Sequence, residues 1–190
     1  MESKMKKLVY YVATTVDNFI AHEDGSADGF LYEGEHTQDF LDSLSNFDSV
    51  LMGKNTYEYG FQFGMKPGEP AYAPYNLKNY IFSRSLRFES NDKVQLVASD
   101  ELDFIRQLKQ SGPEPGHEPG KDIWLCGGGA FAGYLLEQEL IDELILKVHP
   151  VIFGRGIPLF GSSAKSVRLA PYASRSFNTG VTVNSYRILY

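Results

Sequence analysis

A chain of 190 residues, 43% hydrophobic and 22% charged, is long enough to bury a continuous core and is neither fibrous nor disordered in composition. Its formal charge of −6 excludes a broad surface for nucleic acid or anionic membrane, although a local basic pocket could still meet a phosphate. A single cysteine, Cys126, excludes an internal disulfide and a cysteine-built zinc cluster, and fits a reducing, cytoplasmic compartment.

Lys4, Lys6 and Lys7 ahead of Leu8-Val-Tyr-Tyr-Val-Ala13 faintly resemble a leader peptide, but Asp17 ends the apolar run and no small-residue cleavage site follows. The run is read instead as a strand over residues 8–15, covered on both faces. No apolar stretch approaches the ~20 residues of a membrane-spanning helix. Asp17-Asn18 and Asp24-Gly25-Ser26 bracket Phe19-Ile-Ala21 in a long connecting segment reaching Glu35, of the kind that closes over ligands. Thr37 is expected to cap a helix whose Phe40, Leu41, Leu44 and Phe47 form one stripe.

Asp48-Ser-Val-Leu-Met52 reads as a second buried strand and runs into Gly53-Lys54-Asn55-Thr56-Tyr57, a strand-to-helix junction with glycine at the turn. Residues 60–74 read as loop. Asn79-Tyr-Ile-Phe82 is a strand ending in Ser83-Arg84-Ser85, Val94-Gln-Leu-Val97 a shorter one, and Ser99 is expected to cap a helix with Leu102, Ile105 and Leu108 on one side. The Pro- and Gly-rich stretch 112–120 is an exposed loop with no chemistry assigned.

Three consecutive glycines in Cys126-Gly-Gly-Gly-Ala-Phe131 separate the strand-like Asp122-Ile-Trp-Leu125 from a helix over residues 130–139. Backbone N–H groups bare of side chains at the positive end of a helix can hold a phosphate, though tight packing alone can also demand such glycines. Neither a G-x-G-x-x-G fingerprint nor a Gly-Lys-Ser/Thr loop can be laid on these residues, which disfavours a Rossmann domain and a P-loop. Residues 143–153 alternate, with Leu144, Leu146 and Val148 facing one way and Ile145, Lys147 and His149 the other, as in a strand that Pro150 disturbs. Residues 167–169 and 181–190 supply closing strands, antiparallel at one edge. The four histidines have no metal-ligand spacing, and no metal is expected.

Five segments in this order resemble the dihydrofolate reductase fold, and more closely the riboflavin-biosynthesis reductase domain, 5-amino-6-(5-phosphoribosylamino)uracil reductase, and its stand-alone relatives. They are Thr15-Val-Asp-Asn-Phe-Ile-Ala21, Val50-Leu-Met-Gly-Lys-Asn-Thr-Tyr57, Phe82-Ser-Arg-Ser85, Leu125-Cys-Gly-Gly-Gly129, and residues 136–160 with Ile141-Asp-Glu-Leu144 and Pro150-Val-Ile-Phe-Gly-Arg-Gly-Ile-Pro-Leu-Phe160. The resemblance spans nearly the whole chain and implies one α/β domain over 1–190. Its implied architecture is a three-layer fold, a mainly parallel twisted sheet with helices on both faces and antiparallel C-terminal edge strands.

It further implies NADPH as cofactor, a small-molecule substrate and a homodimer. Gly127, Gly128 and Gly129, with Ala130 and Phe131, would cradle the diphosphate. Gly53, Lys54, Asn55 and Thr56 would grip the cofactor at a second helix start, and Ser83 and Arg84, joined by Lys54, would take the 2′-phosphate. Asp17 is the expected catalytic residue, organising proton delivery, with Thr15, Phe19 and Phe153 beside it at the substrate. Two features depart from the family. No Pro-Trp pair precedes the first helix, which argues against folate reduction, and Asn18 stands where the riboflavin reductases carry glycine. One cysteine cannot supply the zinc site of the deaminase half of the bifunctional riboflavin enzyme. A nucleotide-binding module without turnover and a purely structural domain stay open at this stage.

Overall fold

The computed structural model describes residues 5–190, so Lys4 of the leader-like run lies outside the described residues. Ten strands and four α-helices follow one another as β1 (Leu8–Thr14), β2 (Phe19–Ala21), α1 (Glu35–Ser43), β3 (Phe47–Gly53), α2 (Lys54–Tyr59), β4 (Lys78–Phe82), β5 (Val94–Val97), α3 (Glu101–Gln110), β6 (Asp122–Gly127), α4 (Gly129–Glu137), β7 (Glu143–Val148), β8 (Ile157–Pro158), β9 (Arg168–Ser176) and β10 (Thr182–Leu189). Eight strands form one sheet in the order β5-β4-β3-β6-β1-β7-β10-β9, and β2 pairs with β8 in a small second sheet. The mixed, mostly parallel α/β architecture with an antiparallel C-terminal edge is the one expected. Its chain clusters into two compact units, residues up to Leu8 with Leu44–Cys126, and Val9–Ser43 with Gly127–Tyr190.

In the first unit β3, β4 and β5 run parallel with Gly53 opposite Phe82 and Phe82 opposite Val97, so their carboxyl ends finish level. Parallel strands covered on both faces must be apolar throughout, and Val50, Leu51, Met52, Ile81 and Val94 are accordingly buried. Asp48 is fully buried beside them. Its carboxylate accepts from Ser49 Oγ at 2.9 Å and from the Glu114 N–H at 3.1 Å, and pairs with Lys6 at 2.7 Å. Such burial is tolerable only because the charge is matched and its lone pairs are filled.

In the second unit β1 and β7 run parallel, with Tyr11 opposite Ile145 and Ala13 opposite Lys147, and β10 runs antiparallel to both β7 and β9. α4 packs backbone-close on the segment around β8, because a Cβ on Gly129 would stand 2.1 Å from the Pro158 carbonyl oxygen and one on Gly133 the same distance from that of Phe160. Small residues one turn apart thus set the seat of the helix. Tyr10 locks the same segment, donating its hydroxyl to the Leu159 carbonyl at 3.0 Å.

Several element ends differ from expectation. α1 begins two residues before Thr37, whose hydroxyl donates to the Tyr32 carbonyl from inside the helix, and Leu44 and Phe47 of the expected stripe belong to a 3-10 turn and to β3. Asp100, at φ 54 and making no side-chain cap, precedes α3 in place of Ser99. β7 stops at Val148 rather than running to residue 153, since Pro150 has no N–H to extend the ladder.

Candidate functional site

The predicted site residues lie at strand ends, in the loops that follow them and in the first turns of α2 and α4. In the first unit β3 turns at Gly53 into α2, which has only six residues before a 3-10 turn takes over at Gly60. The expected second helix start is therefore short, and its dipole correspondingly weak. Lys54 sits there with Glu58 3.9 Å away, and Asn55 is exposed. Level with Gly53, β4 ends at Phe82 and Ser83 forms a turn, its hydroxyl oxygen accepting from the N–H groups of Ser85 and Leu86. Arg84 extends into solvent, its side chain 81% exposed, with Glu101 of α3 at 3.2 Å. Both cations have only surface acids as partners, ion pairs worth about 0–1 kcal/mol, so an incoming phosphate can replace either acid at little cost. Cavities of about 310 and 320 Å³ in this unit surround residues 111–122, and neither is lined by any of these residues.

In the second unit Gly127 takes φ 133, which only glycine holds without strain, and the Gly127–Gly128 peptide is cis. Gly128 precedes α4 in extended conformation and makes no side-chain cap, leaving the first N–H groups of a nine-residue helix without a capping side chain. Gly129 is buried against Pro158, so packing accounts for that glycine, whereas Gly128 is half-buried and Ala130 exposed. Burial of its sulfur pushes the Cys126 thiol up to about 12, which disfavours the reactive thiolate.

Asp17 forms the most constrained part of the β1–β2 turn. One carboxylate oxygen accepts from the Phe153 N–H at 3.2 Å and the other from the Gly154 N–H at 2.7 Å. The Thr15 hydroxyl and these two amides hold its carboxyl below the usual carboxylate range. Asp17 is therefore an anion at neutral pH, with each oxygen already engaged, and it holds the 153–154 turn in place. Thr15 is buried, its hydroxyl oxygen accepting from the Phe19 N–H at 2.9 Å. Asn18, at φ 66, adopts the left-handed conformation that asparagine tolerates best after glycine, which explains the departure from the family pattern at that position. Phe19 is half-buried and lies opposite Pro158 in the β2–β8 pair.

Phe153 does not stand open at a mouth. Its ring stacks with His22 at 3.7 Å and with Phe30 at 5.4 Å. Phe30 in turn lies 4.8 Å from the ring of His149, which meets His36 edge-on at 5.6 Å. Spacing in the sequence gives these histidines no metal role, and it does not reveal the one they take in the structure, an aromatic bracket for the 22–31 segment. His149 Nδ1 accepts from the Leu31 N–H at 3.1 Å, so the proton sits on Nε2, which is buried without a partner, and burial first, then Lys147 and His36, push the imidazole down to about 4. The one available signal was the alternation that set His149 on the same side as Ile145 and Lys147.

Residues 6–183 match the model of the RibD C-terminal domain. The chain belongs to that family. It is 32% identical over 184 residues to the uncharacterized protein YwjB of Bacillus subtilis (strain 168), covering 96% of this chain and 98% of that one. Its fold is similar to that of a putative riboflavin biosynthesis protein from Shewanella sp. PV-4, with a TM-score of 0.76 at 24% identity over 98% of this chain and all of the other. It is also similar to the deaminase/5-amino-6-(5-phosphoribosylamino)uracil reductase of Thermotoga maritima, with a TM-score of 0.69 at 15% identity, matching 98% of this chain and 57% of that bifunctional protein. The RibD C-terminal family is a reductase family with a dihydrofolate reductase-like fold, so an oxidoreductase assignment holds at family level. Among the described residues no helix is long and apolar enough to cross a membrane.

Proposed function

We propose that this protein is an NADPH-dependent reductase acting on a C=N or C=O group of a small polar substrate, and that residues 1–190 are one reductase domain. The observation that carries the reading is the start of α4, where the N–H groups have no capping side chain and Ala130 is exposed at the positive end of the helix. Gly128, Ala130 and Phe131 would hold the diphosphate there, with Gly127 and Gly129 shaping the turn. In the other unit Lys54, Ser83 and Arg84 would take the 2′-phosphate, the Ser83 hydroxyl turning its proton from the Ser85 hydroxyl, 3.5 Å away, to the phosphate. When bound, the nicotinamide supplies hydride, and the chain's own task is to orient the acceptor, exclude water and deliver a proton.

Asp17 is proposed as the anchor of the 153–154 turn and not as the proton source, because a carboxylate with a lowered pKa and two amide donors has no proton to give at neutral pH. Thr15, Phe19 and Phe153 shape the same region. Protein fluorescence titrated with NADPH and NADH tests the cofactor. NADPH is expected to bind at least tenfold more tightly, and Arg84→Ala is expected to remove most of that preference while leaving NADH unchanged. Equal binding of the two by the wild type would overturn the cofactor assignment. Loss of NADPH absorbance against carbonyl and imine compounds then separates a reductase from a nucleotide-binding module without turnover. A homodimer is also proposed, supported by β9, a nine-residue edge strand exposed along almost its whole length. A sedimentation mass of 21.3 kDa, that of one chain, would contradict it.

A further inference from the structure

On the face of β1 and β7 that α1 covers, one charged group is left without a counterpart. Tyr11 and Ala13 of β1 stand beside Ile145 and Lys147 of β7. Above them Phe40 meets Tyr11 edge-on at 5.2 Å, and the Lys147 ammonium stands 4.5 Å from the centre of the same ring. The anion next along α1, Asp39, is held by both guanidinium nitrogens of Arg175 from β9, one of them at 2.6 Å. Lys147 is left with the aromatic face alone and makes no hydrogen bond or ion pair among the described residues.

A half-buried ammonium in this position is costly, and Asp39, already held by Arg175, answers it only in part. Burial pushes the Lys147 amine down to about 8, with Asp39 only partly opposing the shift. Ionisable groups around it are Tyr11 from β1, His36 and Asp39 from α1, Arg175 from β9 and His149 just past the end of β7, while its partner on β10 is the apolar Val183. Lys147 is also the penultimate residue of β7, near the carboxyl ends of parallel strands, where open α/β sheets bind their ligands.

We propose that Lys147 is the proton donor of the substrate site, the half-buried Ala13 and Phe40 receiving a planar heteroaromatic ring that carries the C=N or C=O acceptor. The inference rests on the reductase reading above. A bound NADPH would supply hydride to the acceptor carbon and be left as NADP⁺, the π pair going to nitrogen or oxygen. Lys147 Nζ would give that atom its proton, and the neutral amine would regain one from water. An amine titrating close to working pH is mostly protonated yet ready to give the proton up, which the Asp17 carboxylate is not.

Competitive labelling of wild-type protein with acetic anhydride across pH, read lysine by lysine from peptide masses, tests this without any turnover. Lys147 is expected to titrate near pH 8, well below the ordinary range of a lysine side chain. At pH 7 its neutral fraction is then roughly a hundredfold larger, so benzaldehyde with cyanoborohydride, a planar aromatic carbonyl probe, is expected to modify Lys147 first. NADPH fluorescence titration is run in parallel on the wild type and on Lys147→Met, with equal affinity expected because the residue serves the acceptor. A Lys147 midpoint above pH 10, or benzaldehyde spread evenly over surface lysines, overturns the donor role even where NADPH binds. Failure of the wild type to bind NADPH removes the reductase reading, and the donor role with it.

Discussion

Lys6 and Lys147 are both lysines drawn out of solvent, and they differ in what meets the charge. Lys6 has a fully buried carboxylate 2.7 Å away, itself filled by a serine hydroxyl and a backbone N–H. Lys147 has a phenyl ring. In the first unit the buried charge is matched by an opposite charge, although Lys6 Nζ makes no hydrogen bond of good geometry, and the pair belongs to the architecture. In the second the charge is answered only in part, and fold stability gives no reason to keep it there. A buried charge thus says little until its partner has been identified.

Lys6→Met removes one half of a buried ion pair and is expected to cost about 3–5 kcal/mol, leaving Asp48 buried as an uncompensated anion. In a chain of this size each kcal/mol moves the melting temperature by about 2–4 °C, so a loss near 10 °C by calorimetry is expected. A loss under about 2 °C would remove the architectural half of the comparison.

Gly129→Ala supplies a packing reference in the second unit that involves no charge. Its new Cβ would meet the Pro158 carbonyl oxygen, part of the backbone and unable to swing aside, and the expected cost is about 3 kcal/mol in denaturant unfolding. Wild-type stability in this variant would show that α4 does not rest where the contacts place it.

His149 sharpens the comparison as an intermediate case, with one ring nitrogen satisfied and the other not. Its imidazole titrates near 4 folded and near 6.5 unfolded, so between those values the unfolded chain holds more protons and stability falls as pH drops from 6.5 to 4. His149→Gln is expected to flatten that limb of the stability curve by up to about 3 kcal/mol at pH 4. An unchanged acid limb would show that the buried imidazole is not what the acid form must open.

Lys147→Met carries the smallest effect and the opposite sign to Lys6→Met. Because the folded amine titrates near 8 and the unfolded one near 10.5, the unfolded chain holds more protons between those values. Stability therefore rises with pH across that window, and the penalty on the protonated amine is complete below 8. Removing the charge relieves a penalty of about 3 kcal/mol but forfeits the cation–π contact with Phe40, worth up to about 2 kcal/mol when desolvated, so the melting temperature at pH 7 is expected to rise by about 2–4 °C, with the gain fading toward pH 10. Beyond that, Tyr11, pushed up to about 12 by burial, ionises first in the unfolded chain and lowers stability for both proteins. A destabilised Lys147→Met would place Lys147 with Lys6 as a structural residue.

Pattern and turn chemistry made most of the fold legible. The runs at residues 8–15, 48–52, 79–82 and 94–97 are strands because β-branched and aromatic residues follow one another without a break, and the glycine junctions at 53 and 127–129 mark where strand gives way to helix. Misplaced ends have local causes. Thr37 looks like a cap but spends its hydroxyl on Tyr32, and Asp100 enters α3 through a left-handed turn that its side chain does not announce. The β2–β8 pair escaped notice because strands of three and two residues carry no period to detect. For the site, Asp17 stood out in sequence, while its two amide partners lie 136 and 137 positions away and could not be read from spacing.

By itself the sequence determined the order of strands and helices, the glycines required at the turns, the absence of a cysteine-built zinc site and the likeness to a reductase family, all consequences of composition and of neighbours a few residues apart. Tertiary structure alone decided which charges are answered. Lys6 finds Asp48 and Lys147 finds only Phe40 because strand register and helix seating bring distant residues together, and the free energy of a buried charge depends on that company rather than on the residue's name.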